Sequence, residues 1–310
     1  MKSIKIGIIG AGCIGRVHAE NIAKFVTEME IKTIAGPYMS QETIEFLQRL
    51  RIPNIVKDAD VILKDPEIKA VAVCSPTDLH AEYAIKAAEA GKDVFVEKPV
   101  DYRIGRVKEA IAAAKKNGVN LQVGFNRRFD HNHRAVYEAV RAGKVGKVNL
   151  VKISSRDPEP PAIDYVKASG GVLVDPAIGE AGDVDTAVVS LKFANGAMGV
   201  IDNSRKAVYG YDQRVEVFGS EGAVMDENDT PNNATYYGAD GTSSSPCYKI
   251  MWDRYTMAFA AEQKAFAEAV LNGTQTQVTG EDGLAPILIA AAATKSLKEG
   301  RPVKLSEITQ

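Results

Sequence analysis

The feature that most constrains this chain stands near its start. Lys5-Ile6-Gly7-Ile8-Ile9 is apolar and rich in β-branched residues, which reads as a buried strand, and it runs directly into Gly10-Ala11-Gly12-Cys13-Ile14-Gly15. Beyond Gly15, apolar residues recur at Val17, Ala19, Ile22, Ala23 and Val26, a spacing that suits a helix. Glycines at a strand-to-helix turn have separate duties. Gly10 permits the tight turn, Gly12 lets the backbone approach a diphosphate, and Gly15 lets the helix pack closely on the strand. The N–H groups and positive dipole end of the helix, at Cys13 and Ile14, then meet the charge of a dinucleotide pyrophosphate. A glycine-rich turn without a ligand is the alternative, and the flanking strand and helix argue against it.

A dinucleotide fold places a carboxylate about 20 residues beyond the glycine loop, where it binds the adenosine ribose. The second strand reads as Ile31 to Ala35, and Gly36-Pro37 breaks it. Gly36 therefore occupies the carboxylate's place, and the ribose loses a charge-assisted partner of about 1.5–3 kcal/mol. No Arg or Lys follows within five residues to receive a 2′-phosphate. NAD is the expected cofactor, with poor discrimination and NADP not excluded.

At 310 residues the chain is long enough for two domains. The α/β rhythm continues through a helix at Gln41 to Leu50, an extended piece at Ile55-Val56, a helical turn at Asp58 to Leu63 and the apolar run Ala70 to Cys74. Such a run suits a parallel strand buried on both faces. Thr77 is expected to N-cap a helix from Asp78 to Ala90. A strand at Asp93 to Val96 delivers Glu97-Lys98-Pro99, and a helix near Gly105 to Lys116 and a strand at Leu121 to Val123 complete the sheet. Ligands bind at the carboxyl ends of such strands, so Ser75, Pro76 and Thr77, with Glu97 and Lys98, point at the cofactor. The first domain spans 1–124.

From 125 to 310 the pattern changes to an α+β domain with a mainly antiparallel, open sheet. Asp130 to Arg141 reads as a helix and Val145 to Ser155 as a strand. Asp185 to Phe193 and Ala197 to Ser204 pair through Asn195-Gly196, with positive φ expected at both turn positions. Arg214 to Gly219 and Ala223 to Met225 are further strands, Glu227 to Ser245 reads as a loop with one short strand, and helices at Trp252 to Leu271 and Leu284 to Leu297 follow. The net charge of −2 argues against nucleic acid or an anionic membrane as partner. Cys13, Cys74 and Cys247 form no C-x-x-C pair, and no apolar run is long enough to span a bilayer, so a cytoplasmic protein working on a small molecule is expected.

In order and spacing, several segments resemble the glucose–fructose oxidoreductase / inositol dehydrogenase / MocA family, and most closely its inositol 2-dehydrogenase branch. They are Gly10 to Gly15, Ser75-Pro76-Thr77 with His80, Glu97-Lys98-Pro99, Gly124 to Phe129, Ser155-Arg156-Asp157-Pro158, and Asn203-Ser204-Arg205 followed by Tyr209-Gly210-Tyr211. The resemblance implies a Rossmann domain, then a domain whose open sheet mediates homo-oligomer contacts, in a dimer or tetramer. It also implies oxidation of a cyclic polyol to a ketone, with hydride passing to the nicotinamide.

That chemistry needs a base for the hydroxyl proton and a cation beside the developing oxyanion. Lys98 suits the second task; its structural alternative is an ion pair with Glu97. Arg127 or Arg128, Arg156 and Asp157, with Tyr255 a weaker candidate, could hydrogen-bond polyol hydroxyls, and solvated surface charges are the competing reading. His80 could sit near the cofactor, and His18 reads as packing or capping.

The base departs from the family pattern, which places an Asp and, four residues later, a His after a Gly-Gly pair. Here Gly170-Gly171 leads to Asp175, with Pro176 next and Gly179 in the histidine's place. In a second alignment Val172 to Asp185 matches the later family segment that leads into the hairpin, so the catalytic helix and the strand after it are absent. The four histidines are His18, His80, His131 and His133, and none lies beyond residue 133. His131 and His133 stand two apart, off a common helix face, so no metal site is expected. Three readings remain open: a polyol dehydrogenase using Lys98, its proton relay either improvised through water and Asp175 or impaired; a nucleotide-binding copy without turnover; and a dehydrogenase of another sugar.

Overall fold

The computed structural model describes residues 2–159 and 186–308. The chain divides into two compact units, Met1–Phe129 with Met257–Gln310, and Asp130–Thr256. In the first, strands β1 (Ile4–Ile9), β2 (Met29–Ala35), β3 (Asn54–Val56), β4 (Ala70–Val73), β5 (Asp93–Glu97) and β6 (Leu121–Gly124) form one sheet in the order β3-β2-β1-β4-β5-β6. All its pairings are parallel. Helices α1 (Cys13–Phe25), α2 (Gln41–Arg49), α3 (Asp60–Lys64), α4 (His80–Glu89) and α5 (Ile104–Asn117) alternate with the strands.

The alternation of side chains along β4 shows why its run is apolar throughout. Ala70 and Ala72 join Ile6, Ile8, Ala19 and Ile22 in one buried cluster, whereas Val71 and Val73 join Val94, Val96 and Ala84 in another. With a core on each face, no position is left for a polar residue. The α/β class and the parallel sheet expected from sequence are both present.

In the second unit, Asp130 caps α6 (His131–Arg141), its carboxylate accepting the amides of Asn132 and His133. Strands β7 (Val148–Arg156), β8 (Thr186–Lys192), β9 (Met198–Ser204), β10 (Asp212–Gly219) and β11 (Ala223–Asp226) pair in the order β11-β10-β7-β9-β8. Only β7 and β9 run parallel among these described strands. Val151, Val215, Val217 and Val224 pack with Val136 and Val140 of α6, which covers one face of the sheet.

The β8–β9 hairpin forms as expected, but its turn differs. Phe193 and Ala197 pair across a three-residue loop in which Gly196, at φ +90°, is the residue with positive φ. A loop of that length needs one left-handed residue, which the glycine supplies. Within the expected loop at 227–245, β12 (Thr235–Gly238) and β13 (Gly241–Ser244) form a hairpin of their own.

From Met257 onward the end of the chain belongs to the first unit. In α7 (Met251–Asn272), Phe266 is buried 6.0 Å from Phe95 of β5, and Ala267 joins the same cluster. The Val278 carbonyl accepts the Val123 amide, and α8 (Gly280–Glu299) follows. Its start is closed by a capping box between Thr279 and Asp282. A Cβ at Gly280 would press on Ile111 and Leu121, and one at Gly283 on Val123 and Val100. These glycines serve close packing, which is why the helix begins four residues before the expected Leu284. No helix among the described residues is long and apolar enough to cross a membrane.

Candidate active site

Gly10 leaves β1 at φ +110°, its amide donating to the Ala35 carbonyl at 2.8 Å. A Cβ at Gly10 would strike the Cys74 carbonyl and one at Gly15 the Gly10 carbonyl, whereas Gly12 faces open space. Two glycines are thus demanded by packing, and the third leaves room above the turn. No described side chain caps α1, and its first turn holds no acidic residue. The amides that open the helix at Cys13 and Ile14 remain for an anion, and this cradle fits a dinucleotide diphosphate.

One strand away, the Cys74 amide donates to the Ile9 carbonyl at 2.7 Å, which brings Ser75, Pro76 and Thr77 beside the glycine turn. Thr77 does not cap the next helix as expected. A 3₁₀ turn at Thr77–Leu79 comes first, and α4 starts at His80 without a side-chain cap. His80 is buried, with Nε2 2.7 Å from the Ser75 carbonyl oxygen and Nδ1 2.7 Å from that of Pro99. The ring clasps the turns after β4 and β5 together, so it positions the site from within.

Glu97 closes β5 with a buried side chain. Its Oε1 lies 2.6 Å from His18 Nε2, and its Oε2 accepts the Lys98 amide at 3.0 Å. Burial alone would raise the Glu97 carboxyl, but the His18 hydrogen bond and the nearby positive charges hold it below the usual range. Both oxygens are committed to these contacts, so the carboxylate anchors the turn. Lys98 itself is exposed, and no described side chain pairs with its ammonium. The ion pair with Glu97, the structural alternative for Lys98, is not formed.

Sequence reasoning missed the other side of this anchor. His18 Nδ1 lies 3.1 Å from Gln263 Nε2, and the ring meets Phe95 and Phe259 edge-on. Glu262 is fully buried, with neither carboxyl oxygen hydrogen-bonded among the described residues. Burial and then the Glu97 charge push its carboxyl well above the usual range. The readable signal was a polar pair on the stripe Phe259, Glu262, Gln263, Phe266, a spacing that faces one side of a helix.

A raised Glu262 costs stability as pH climbs, because the folded chain holds a proton that the unfolded chain releases above its ordinary range. Glu262→Gln is therefore expected to melt close to the parent near pH 4.5 and progressively above it as pH rises to 9. Thermal denaturation across that range checks this, and a constant difference would refute it.

Arg127 and Arg128 lie in a 3₁₀ turn at Asn126–Phe129 just after β6, where Arg128 stands 3.6 Å from Asp282. In the second unit, Arg156 donates to Asp202 and, at 3.0 Å, to the Tyr209 hydroxyl, contacts that raise its pKa. Asp157 accepts from Arg205. Tyr255 is fully buried, with the Arg254 guanidinium 4.6 Å from its ring centre and Tyr211 and His133 edge-on, so it is a core residue of that unit. Asp175 lies outside the described residues.

Two clusters bring His and acidic side chains within chelating distance: His18, Glu97 and Glu262, and Asp130, His133 and Asp226. In both, protein groups already engage acidic members of the cluster, Glu262 excepted. His18 serves Glu97, Arg254 holds Asp130 at 2.7 Å, and His133 stands 2.7 Å from Asp226.

Residues 4–125 match the oxidoreductase family described as an NAD-binding Rossmann fold, GFO/IDH/MocA, and residues 175–305 match its C-terminal alpha/beta domain. The chain belongs to this family. It is 42% identical to the "uncharacterized oxidoreductase YrbE" of Bacillus subtilis, over 98% of this chain and 97% of the relative. It is 40% identical to the myo-inositol 2-dehydrogenase of Thermotoga maritima, over 98% and 99% of the two chains. Among solved structures, a "probable dehydrogenase" from Thermotoga maritima superposes with a TM-score of 0.94 at 39% identity, covering 99% of this chain and 100% of that one. The scyllo-inositol dehydrogenase of Lactobacillus casei with bound NAD(H) and scyllo-inositol superposes at 0.89 with 25% identity, covering 98% and 100%. The glycine cradle at Gly10–Gly15 lies within the span matched by the NAD-binding Rossmann model.

Proposed function

We propose that this chain is an NAD-dependent dehydrogenase that oxidises a ring hydroxyl of a cyclic polyol, myo-inositol being the first candidate. The observation that carries the reading is Lys98, whose exposed ammonium pairs with no described side chain and stands at the carboxyl end of β5, in the same parallel sheet as the strand that leads into the glycine cradle. Bound NAD supplies the hydride acceptor. The cradle holds its diphosphate, the His80 clasp fixes the two neighbouring turns, and Lys98 donates a hydrogen bond to the substrate oxygen as negative charge grows there. Arg127, Arg128, Arg156 and Asp157 are candidate hydroxyl contacts, and Asp175 is the candidate proton acceptor. The activities named for the Thermotoga and Lactobacillus relatives support the substrate class, and the free thiols of Cys13, Cys74 and Cys247 support a cytoplasmic location.

A specific observation favours a second reading, a copy that binds nucleotide without turnover. The alignment with the Bacillus relative runs over 333 positions, yet 98% of 310 residues is about 304, so about 29 positions have no counterpart here. With 97% of the relative covered, those positions fall inside the aligned span. We propose that most of them belong after Gly171, where the family's catalytic Asp and His are expected. Fluorescence titration with NADH, run beside an assay with myo-inositol, separates the readings. Binding with turnover supports the dehydrogenase, binding without turnover supports the second reading, and no binding at millimolar nucleotide defeats both.

We also propose that a second copy covers the open face of the β7–β11 sheet. Pairing puts Met198 beside Leu150 and Leu150 beside Phe218, while Met225 and Val188 lie on the same face. Val188 is 68% exposed and Met198 57%. An apolar patch of this kind marks an interface. Met198→Lys with Phe218→Lys is expected to convert the oligomer to a monomer by sedimentation velocity, and an unchanged sedimentation coefficient would exclude this face.

A further inference from the structure

We infer that this protein accepts NADP about as readily as NAD, because the position that would reject a 2′-phosphate carries no side chain. The inference rests on the dinucleotide reading of the glycine cradle. β2 ends at Ala35, which pairs with Ile9 of β1, and the Ala35 carbonyl accepts the Gly10 amide at 2.8 Å. The Gly36 amide is held in turn by the Val56 carbonyl at 2.9 Å. Gly36 is thereby fixed beside the glycine turn. A Cβ built on it would stand 3.2 Å from the Ala11 Cβ and 3.3 Å from the Met39 Cγ, so any side chain there projects alongside that turn.

Backbone geometry does not ask for glycine at this position. Gly36 is not among the glycines with positive φ, so an L side chain is allowed. What glycine removes is recognition. A carboxylate here would bind two ribose hydroxyls and repel a phosphate on either of them; this chain does neither.

The surrounding charges do not restore a preference. Arg16 of α1 lies over the Phe46 ring at 5.9 Å and 3.7 Å from Glu42 of α2, and exposed Lys57 and Asp58 follow β3 together. Arg16 has an anion beside it and Lys57 is followed in the chain by Asp58, so the local charges offset and neither capture nor reject a phosphate strongly.

Calorimetric titration of the full chain with NADH and with NADPH is expected to give dissociation constants within about tenfold of each other. Gly36→Asp is expected to tighten NADH by about 10- to 100-fold, the range for a hydrogen bond to a charged group, and to weaken NADPH. Gly36→Asn brings similar bulk against Ala11 and Met39 without the charge, and it should not weaken NADPH selectively. NADPH binding more than about 100-fold weaker than NADH in the parent would overturn the inference while leaving the dinucleotide reading intact. Equal shifts in the Asp and Asn variants would overturn it too. Binding of neither nucleotide would defeat the dinucleotide reading itself.

Discussion

Replacing Lys98 with alanine is expected to lower kcat for polyol oxidation by about 10²–10³-fold, the usual cost of one donor at a developing oxyanion. The NADH dissociation constant should stay close to that of the parent. The separation follows from how the residue is held. The Lys98 backbone amide donates to Glu97 Oε2, and the neighbouring Pro99 carbonyl meets His80, so the turn keeps its anchors when the side chain is cut back. The ammonium is exposed and engages no described partner, so its loss leaves no buried charge behind. Steady-state kinetics with myo-inositol, paired with NADH fluorescence titration of the same variant, reads both quantities. An unchanged kcat would remove Lys98 from the chemistry, and a matching loss of NADH affinity would make it a cofactor-binding group instead.

What the sequence disclosed, and what it hid, divides along the range of the forces involved. The strand at Ile4–Ile9, the glycine turn and α1 are local: periodicity and three glycines specify them, and the structure reproduces them. The pairing of β8 with β9 was legible for the same reason, although a local rule overstated how many turn residues need positive φ. The placement of α7 and α8 was not legible, because it depends on Phe266 finding Phe95 and on Gly280 fitting against Leu121, contacts separated by more than a hundred residues. Glycines at 280 and 283 and a proline at 286 argue against helix when propensity is read alone, yet close packing and the Thr279–Asp282 capping box override them. The candidate site divides similarly. Lys98 follows from its position at a strand end, whereas the commitment of Glu97 to His18 spans 79 residues, and Glu262 and Gln263 come from the far end of the chain.

That buried anchor makes His18→Ala the variant expected to lose most stability. His18 and Glu97 are both withdrawn from water, and deleting one partner of such a pair typically costs about 3–5 kcal/mol, because the remaining charge is left buried. The sign with pH follows from the two states of Glu97. In the parent, His18 holds the carboxyl below its ordinary range, so the contribution is present above that range and lost as pH falls. Without the His18 hydrogen bond, burial pushes the Glu97 carboxyl upward, so the folded state is penalised as pH rises. The gap between variant and parent should therefore be small near pH 4.5 and widest near pH 8. Urea denaturation at the two pH values measures it. An equal loss at both would assign the cost to the cavity left by the ring, and a full-sized gap confined to the alkaline side would assign it to the stranded carboxylate beneath Lys98.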